Sequence, residues 1–181
     1  MVALIKHVVL LIAALLAAES ALGQGERGLE TQIKAAFLYK FGGFVEWPAG
    51  AFARADSTFS IGVLGADGVA AELERLVAGR TVHGRAIAVQ KLKRGEPLAG
   101  LHLLFIGQPE ASRLPEILSA AKGQALLIVT ETEDALARGS MINFITVDDK
   151  VRFDVALPPA ERGQLRISSR LLAVARKVIT G

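Results

Sequence analysis

The sequence predicts an α/β fold: a mainly parallel sheet flanked by helices on both faces, with an antiparallel β-hairpin at one edge near the C-terminus. Three observations predict it. From residue 59 onward, short β-rich runs alternate with helical stretches. Two of those runs, Leu101–Ile106 and Ala125–Thr130, are apolar along nearly their whole length, as strands covered on both faces are. Further on, Met141–Val147 and Val151–Leu157 flank Asp148-Asp149-Lys150, a hairpin-type turn. The second of these two strands alternates, with Val151, Phe153, Val155 and Leu157 set against Arg152, Asp154 and Ala156.

Residues 1–23 read as a cleaved signal peptide. Lys6 supplies the charge of a short n-region, Val8–Ala18 is an unbroken apolar run, and Ala21-Leu22-Gly23 fits a small-x-small cleavage site before Gln24. The run is too short for a spanning helix, which needs roughly 20 apolar residues. Residues 24–181 are then expected to form one domain. Within it, Leu29, Ile33, Phe37, Phe41 and Phe44 recur at helical steps, and Gly42-Gly43 are expected to stop that helix. Phe44–Pro48 is expected to be extended, because Pro48 disfavours the α conformation at Trp47. Ala49–Thr58, small and polar, reads as a surface loop.

A strand over Phe59–Leu64 enters a turn at Gly65-Ala66-Asp67-Gly68, and a helix over Val69–Val77 is closed by Gly79. Thr81–Arg85 leads into a strand at Ala86–Leu92. Helices are expected over Pro115–Ala121 and near Glu133–Ala137. Pro158-Pro159 ends the last strand. A final helix is expected from Ser168 to Ile179, its apolar face made by Leu171, Leu172, Val174, Ala175, Val178 and Ile179.

Composition narrows the function. The chain has 181 residues and a net charge of +3, and loss of Lys6 and Glu19 with the signal peptide leaves that charge unchanged. So small and dispersed a surplus gives no case for nucleic acid, which calls for a concentrated basic face. Cysteine is absent, so thiol catalysis, disulfides and Cys-based metal sites are impossible.

The sequence holds no recognisable catalytic or metal-binding constellation. Gly62, Gly65 and Gly68 do not match the dinucleotide spacing, and Asp67 would repel a phosphate at the helix start; an N-cap role for Asp67 is the simpler reading. His83 and His102 lie far apart with no zinc-site spacing, and His102 reads as a hydrogen-bonded core imidazole. No nucleophile elbow occurs, and Ser168-Ser169 read as helix caps. No catalytic residue, metal ligand or cofactor is therefore expected. Two patches remain as candidate partner or ligand surfaces. One is the aromatic cluster over residues 37–47, with Tyr39 and Trp47 as its anchors, although such stripes more often fill a core. The other combines Asn143, Arg152, Arg166 and Arg170 near the hairpin and the last helix, where guanidinium groups could hold an anion.

Several ordered motifs carry a family resemblance. Lys34-Ala-Ala-Phe-Leu-Tyr-Lys-Phe41 followed by Phe44-Val-Glu-Trp-Pro48 resembles the opening signature of the YfiR-like (DUF4154) proteins. Ile61–Gly65, Gly79-Arg-Thr-Val-His-Gly-Arg85, Leu103–Ile106, Gly139-Ser-Met-Ile-Asn-Phe144, Val151–Phe153 and Leu165-Arg-Ile-Ser-Ser-Arg-Leu-Leu172 continue it across the chain. The resemblance implies a periplasmic, non-enzymatic regulator. The family's name-giving members dimerise and hold an inner-membrane diguanylate cyclase inactive through its periplasmic part. Envelope stress, an outer-membrane lipoprotein or a small ligand relieves the block and raises cyclic di-GMP. Other relatives accompany sensor kinases or outer-membrane receptors. YfiR itself carries disulfide-forming cysteines; this chain has none, so a redox-controlled switch is closed to it.

The expected function is accordingly a periplasmic inhibitor of an inner-membrane signalling protein, a diguanylate cyclase first, acting as a homodimer. The alternative is a periplasmic small-molecule-binding domain that feeds a sensor kinase or other membrane receptor. Its ligand would sit beyond the strand C-termini, at Gly65–Gly68, Gly107-Gln108 and Thr130-Glu131.

Overall fold

The computed structural model describes residue 25 and residues 28–181, so the signal segment expected over residues 1–23 lies outside the described residues. A first helix, α1, spans residues 28–44. It runs through Gly42-Gly43, which do not stop it. Gly42 is there for closeness: a Cβ at this position would come within 3.2 Å of the Phe59 ring and of Val82. The chain then becomes extended, as Pro48 requires, in β1 (Val45–Glu46).

The main sheet is built from β2 (Phe59–Leu64), β3 (Thr81–Val82), β4 (Arg85–Leu92), β5 (Leu103–Ile106), β6 (Leu127–Thr130), β7 (Ile142–Val147), β8 (Lys150–Ala156) and, after a small strand β9 (Arg166–Ile167), β10 (Lys177–Ile179). Its strand order is β10-β8-β7-β6-β5-β2-β4-β3, while β1 and β9 pair separately as a two-stranded antiparallel ladder. Parallel pairing joins β4, β2, β5, β6 and β7, with Ile61 beside Leu103 and Leu103 beside Leu127. The expected hairpin is β7–β8, closed by Asp148 and Asp149, both at positive φ. A smaller hairpin, β3–β4, turns on His83 and Gly84 at φ of 51° and 77°, the left-handed pair that two-residue hairpin turns demand.

Helices cover both faces. Alternate residues of a strand point to opposite sides, so Leu103 and Phe105 of β5 face one core while Leu104 and Ile106 face the other. The first core is roofed by α1 and α2 (Asp67–Val77), through Ala35, Leu38, Phe41, Ala70 and Leu73. The second is roofed by α3 (Leu114–Ala120) and α4 (Ala135–Arg138), through Leu114, Ile117 and Ala135.

The C-terminal end departs from the sequence reading. Pro158-Pro159 follow the strand as expected, but they open a helix, α5 (Leu157–Arg162), sitting in its first turn where no N–H is required. The helix expected over Ser168–Ile179 is a single turn, α6 (Ser169–Leu172), whose N-cap Ser168 accepts from the Arg170 N–H as anticipated. Beyond it the chain returns to the sheet as β10, parallel to β8 and outside it. Long-range bonds override the helical period there. The Arg176 N–H donates to the Phe153 carbonyl at 2.9 Å, and the Arg176 guanidinium grips both oxygens of the buried Asp154. The hairpin thus lies near the sheet edge with one short strand added to it.

Candidate functional site

From β2 the chain crosses to β4 on one side and returns to β5 on the other, so the strand order reverses between β2 and β5. Doubly wound sheets bind ligands in the crevice at such a point. Here the chain closes it. Gly65 (φ 71°) and Gly107 approach so nearly that a Cβ on Gly107 would lie 2.5 Å from the Gly65 carbonyl oxygen. Glu110 fills the remaining space against Gly65, its side chain 6% exposed and ion-paired with Arg94 (2.9 Å) and Arg113 (3.4 Å). Asp67, expected as the N-cap of α2, is instead its first helical residue. Ala66 holds the cap position, and the Asp67 charge suits the positive helix end without a capping bond.

Beside the closed crevice lies an open one. A cavity of about 300 Å³ sits between α1 and the C-terminal ends of β6 and β7, walled by Glu30, Lys34, Gln108, Glu131 and Phe144. The Lys34 ammonium donates to both Glu30 and Glu131, and the second Glu131 oxygen accepts from the Gln108 N–H at 2.9 Å. Burial alone would lower the Lys34 pKa, but the hydrogen bonds and charges of Glu131 and Glu30 outweigh it and raise the value above the ordinary lysine range. Stability from this clasp is complete below the unfolded lysine pKa and is lost as pH rises through the higher native one. We expect Lys34→Met, which leaves the largely buried Glu131 without its cation, to cost about 2 kcal/mol in urea denaturation at neutral pH. The loss should shrink as both proteins are taken to strongly alkaline pH.

The opposite end of the sheet carries an aromatic rim. Trp47 stands edge-on to Phe59 at 4.9 Å and donates its indole N–H to the His102 carbonyl at 3.2 Å. The His102 ring stacks on Phe52 (4.3 Å) and Phe59 (5.3 Å). Arg85 lies over the Phe52 ring at 3.9 Å and donates to the carbonyls of Arg54, Ala55 and Ser57 at 2.8–3.1 Å. The segment over residues 49–58, expected as a surface loop, is therefore a strap fastened at several points, with a 3-10 turn at Ala49–Ala51. A cleft of about 810 Å³ opens beside the rim, walled mostly by turns, with Arg162 the only charged residue lining it among the described residues.

The residues singled out from sequence are distributed over the molecule. Tyr39 is half-buried, with the Arg80 guanidinium 5.5 Å from its ring centre. Trp47 is half-buried in the rim just described. Asn143 is buried: its side-chain oxygen accepts from the Thr130 hydroxyl (2.6 Å) and the Thr132 N–H (3.1 Å), fixing the turn after β6. Arg152, Arg166 and Arg170 are exposed on three separate elements. Arg152 stands opposite Ile145 and Asn143 opposite Asp154, so the two share a face of the β7–β8 hairpin, whereas Arg166 pairs with Glu46 in the separate β1–β9 ladder and Arg170 lies on α6.

Sequence reasoning placed Glu131 on the strand C-terminal rim but missed Lys34, Arg85 and Glu110, which with it close or fasten both ends of the sheet. His102 meets its reading as a hydrogen-bonded core imidazole. Among the described residues no group of three or more His, Cys, Asp or Glu side chains is placed to hold a metal ion. Nor, among them, is any helix long and apolar enough to cross a membrane.

Comparison with known proteins gives one family. The family described as YfiR/HmsC-like (DUF4154) matches over residues 31–176. No curated protein matches the chain. Among solved structures it is similar to a conserved domain protein of Vibrio cholerae O1 biovar El Tor strain N16961, at 14% identity and a TM-score of 0.47, with 66% of this chain and 54% of that one covered. The chain thus spans about half the length of that protein.

Proposed function

The chain belongs to the YfiR/HmsC-like family, and on that premise we propose that it is a periplasmic regulator that works by binding, holding an inner-membrane diguanylate cyclase inactive through that enzyme's periplasmic part. The observation that carries this reading is the family match across residues 31–176. The closed crevice between β2 and β5 supports it, since the place where this architecture takes a nucleotide is filled by Glu110. So does the fate of the polar side chains. Lys34, Glu131 and His102 are each engaged in bonds that hold the fold. In this reading the chain is exported by its signal peptide, acts as a homodimer, and is drawn off the cyclase by an outer-membrane lipoprotein or a small ligand. A binder restrains a two-state receptor only through its differential affinity for the two states. Taking a cyclase from almost fully active to almost fully inactive requires roughly a 10⁴-fold preference.

Deleting the gene is expected to raise cellular cyclic di-GMP, and the full chain supplied in trans is expected to restore it. The chain without residues 1–23, retained in the cytosol, should fail to do so. Unchanged cyclic di-GMP in the deletion strain would refute control of a cyclase.

The cavity at Lys34 and Glu131 favours a second reading, in which a small molecule bound at the strand C-termini is the input to a sensor kinase. A thermal-shift screen separates the two, because a ligand held by the native state alone raises the melting temperature.

A further inference from the structure

The strap over residues 49–58 is fastened through a titratable ring. His102 Nδ1 lies 3.0 Å from the Ser60 backbone nitrogen, whose N–H can only donate, so Nδ1 must be the unprotonated acceptor. The ring proton is then on Nε2, which donates to the Ala51 carbonyl at 3.1 Å and so ties the strap to β5. The ring stacks on Phe52 of the strap and on Phe59 of β2. A second proton has no acceptor at Nδ1. It would set two N–H groups against each other and place a cation in a buried site close to the Arg85 guanidinium.

We propose that His102 is an acid-released latch: protonation of its ring frees the strap over residues 49–58 from the rim and opens the adjoining cleft, while the rest of the sheet stays folded. The surrounding charges agree. Arg85, on β4, is the cation facing this site, held over Phe52 and on three strap carbonyls. On the strap, Arg54 and Asp56 are exposed and paired with each other at 2.9 Å. His83, in the β3–β4 turn across Trp47, is bonded to the Val45 carbonyl. Among the described residues no carboxylate bonds the His102 ring, and the Ala51 carbonyl, which favours the charged form, is outweighed. Burial, reinforced by Arg85, holds the ring below the ordinary histidine pKa. Gly50 and Ala51 line the cleft of about 810 Å³, so release of the strap widens it and bares Phe52. As regulation, this rests on the exported location proposed above; the latch itself is a property of the purified chain and is tested without it.

The sign is fixed by linkage. The released strap binds one more proton than the fastened one, so opening gains as pH falls below about 6.5, the free histidine value. At pH 5 the gain approaches about 30-fold if the fastened ring binds no proton at all. The experiment is hydrogen exchange on the purified mature chain between pH 7.5 and 5, corrected for the intrinsic pH dependence of exchange, with the His102 ring titrated in parallel by NMR. We expect protection of the strap amides to fall about tenfold or more while β5 and β6 keep theirs, with a midpoint matching the ring titration. His102→Asn keeps an acceptor for the Ser60 N–H but cannot titrate, and should abolish the pH dependence. Equal loss of protection in wild type and His102→Asn would overturn the proposal, as would a strap that stays protected at pH 5. Should the variant not fold, a strap midpoint that differs from the ring titration decides against it. If the latch fails while deletion still raises cyclic di-GMP, the regulator reading stands without it.

Discussion

Gly107→Ala is expected to destabilise the chain by about 3 kcal/mol or more, at the upper end of what overpacking costs. Backbone conformation plays no part, since Gly107 has a φ of −73° that any residue adopts. The difficulty is space. The added methyl would meet the Gly65 carbonyl oxygen at 2.5 Å and its carbon at 2.9 Å, both main-chain atoms that no rotamer change can move. Relief would require β2 and β5 to part at their C-terminal ends, breaking the bond from the Gly107 N–H to the Leu64 carbonyl (2.8 Å). Gly100→Ala is the control. Its φ of 81° is unfavourable for alanine but nothing lies within 4 Å of the new methyl, so about 1 kcal/mol should be lost. Urea midpoints of the two variants measure the difference. Equal losses would mean that the crevice is loose enough to admit a ligand.

The sequence made the strands legible and the fastenings illegible, for one physical reason. Phe59–Leu64 was readable to the residue because a run buried on both faces is dominated by apolar residues, here Phe59, Ile61, Val63 and Leu64, whatever its neighbours are. The segment over residues 168–179 misled because Leu171, Leu172, Val174, Ala175, Val178 and Ile179 satisfy a helical period, while the bonds that make Lys177–Ile179 a strand come from β8. Gly42-Gly43 looked like a helix stop because the rings and side chains crowding Gly42 belong to Phe59 and Val82, far along the chain. Arg85 gave no local signal at all, as its acceptors are main-chain carbonyls 28 to 31 residues away. At the Lys34 clasp half the arrangement was open to inspection. Glu30 and Lys34 stand four apart on a helix, a spacing that pairs charges, whereas Glu131 arrives from the end of β6.

Phe41→Ala should cost about 4 kcal/mol, in the range of a fully buried ring. Phe41 is fully buried, and its ring meets Phe153 edge-on at 5.0 Å, Phe144 at 5.7 Å and Phe37 at 5.9 Å. Two of those partners belong to the β7–β8 hairpin, so this ring joins α1 to the sheet at the end where the parallel pattern gives way to an antiparallel one. Truncation removes the transfer energy of the ring and leaves a cavity between a helix and a hairpin that the strand ladders prevent from collapsing together. Phe37→Ala, on the same helix face but half-buried, should cost less than half as much, and Phe41→Leu about 1 kcal/mol. Because a domain of this kind holds only about 5–15 kcal/mol in total, Phe41→Ala should also lower the amount of chain recovered from the cell. α1 carries Lys34 at one end and leads into β1, Trp47 and the strap at the other, so its loosening reaches both ends of the sheet at once. Urea denaturation of the three variants tests the ranking. A Phe41→Ala loss below about 1 kcal/mol would show that α1 is held by its Lys34 clasp and the β1–β9 ladder, with its aromatic face contributing little.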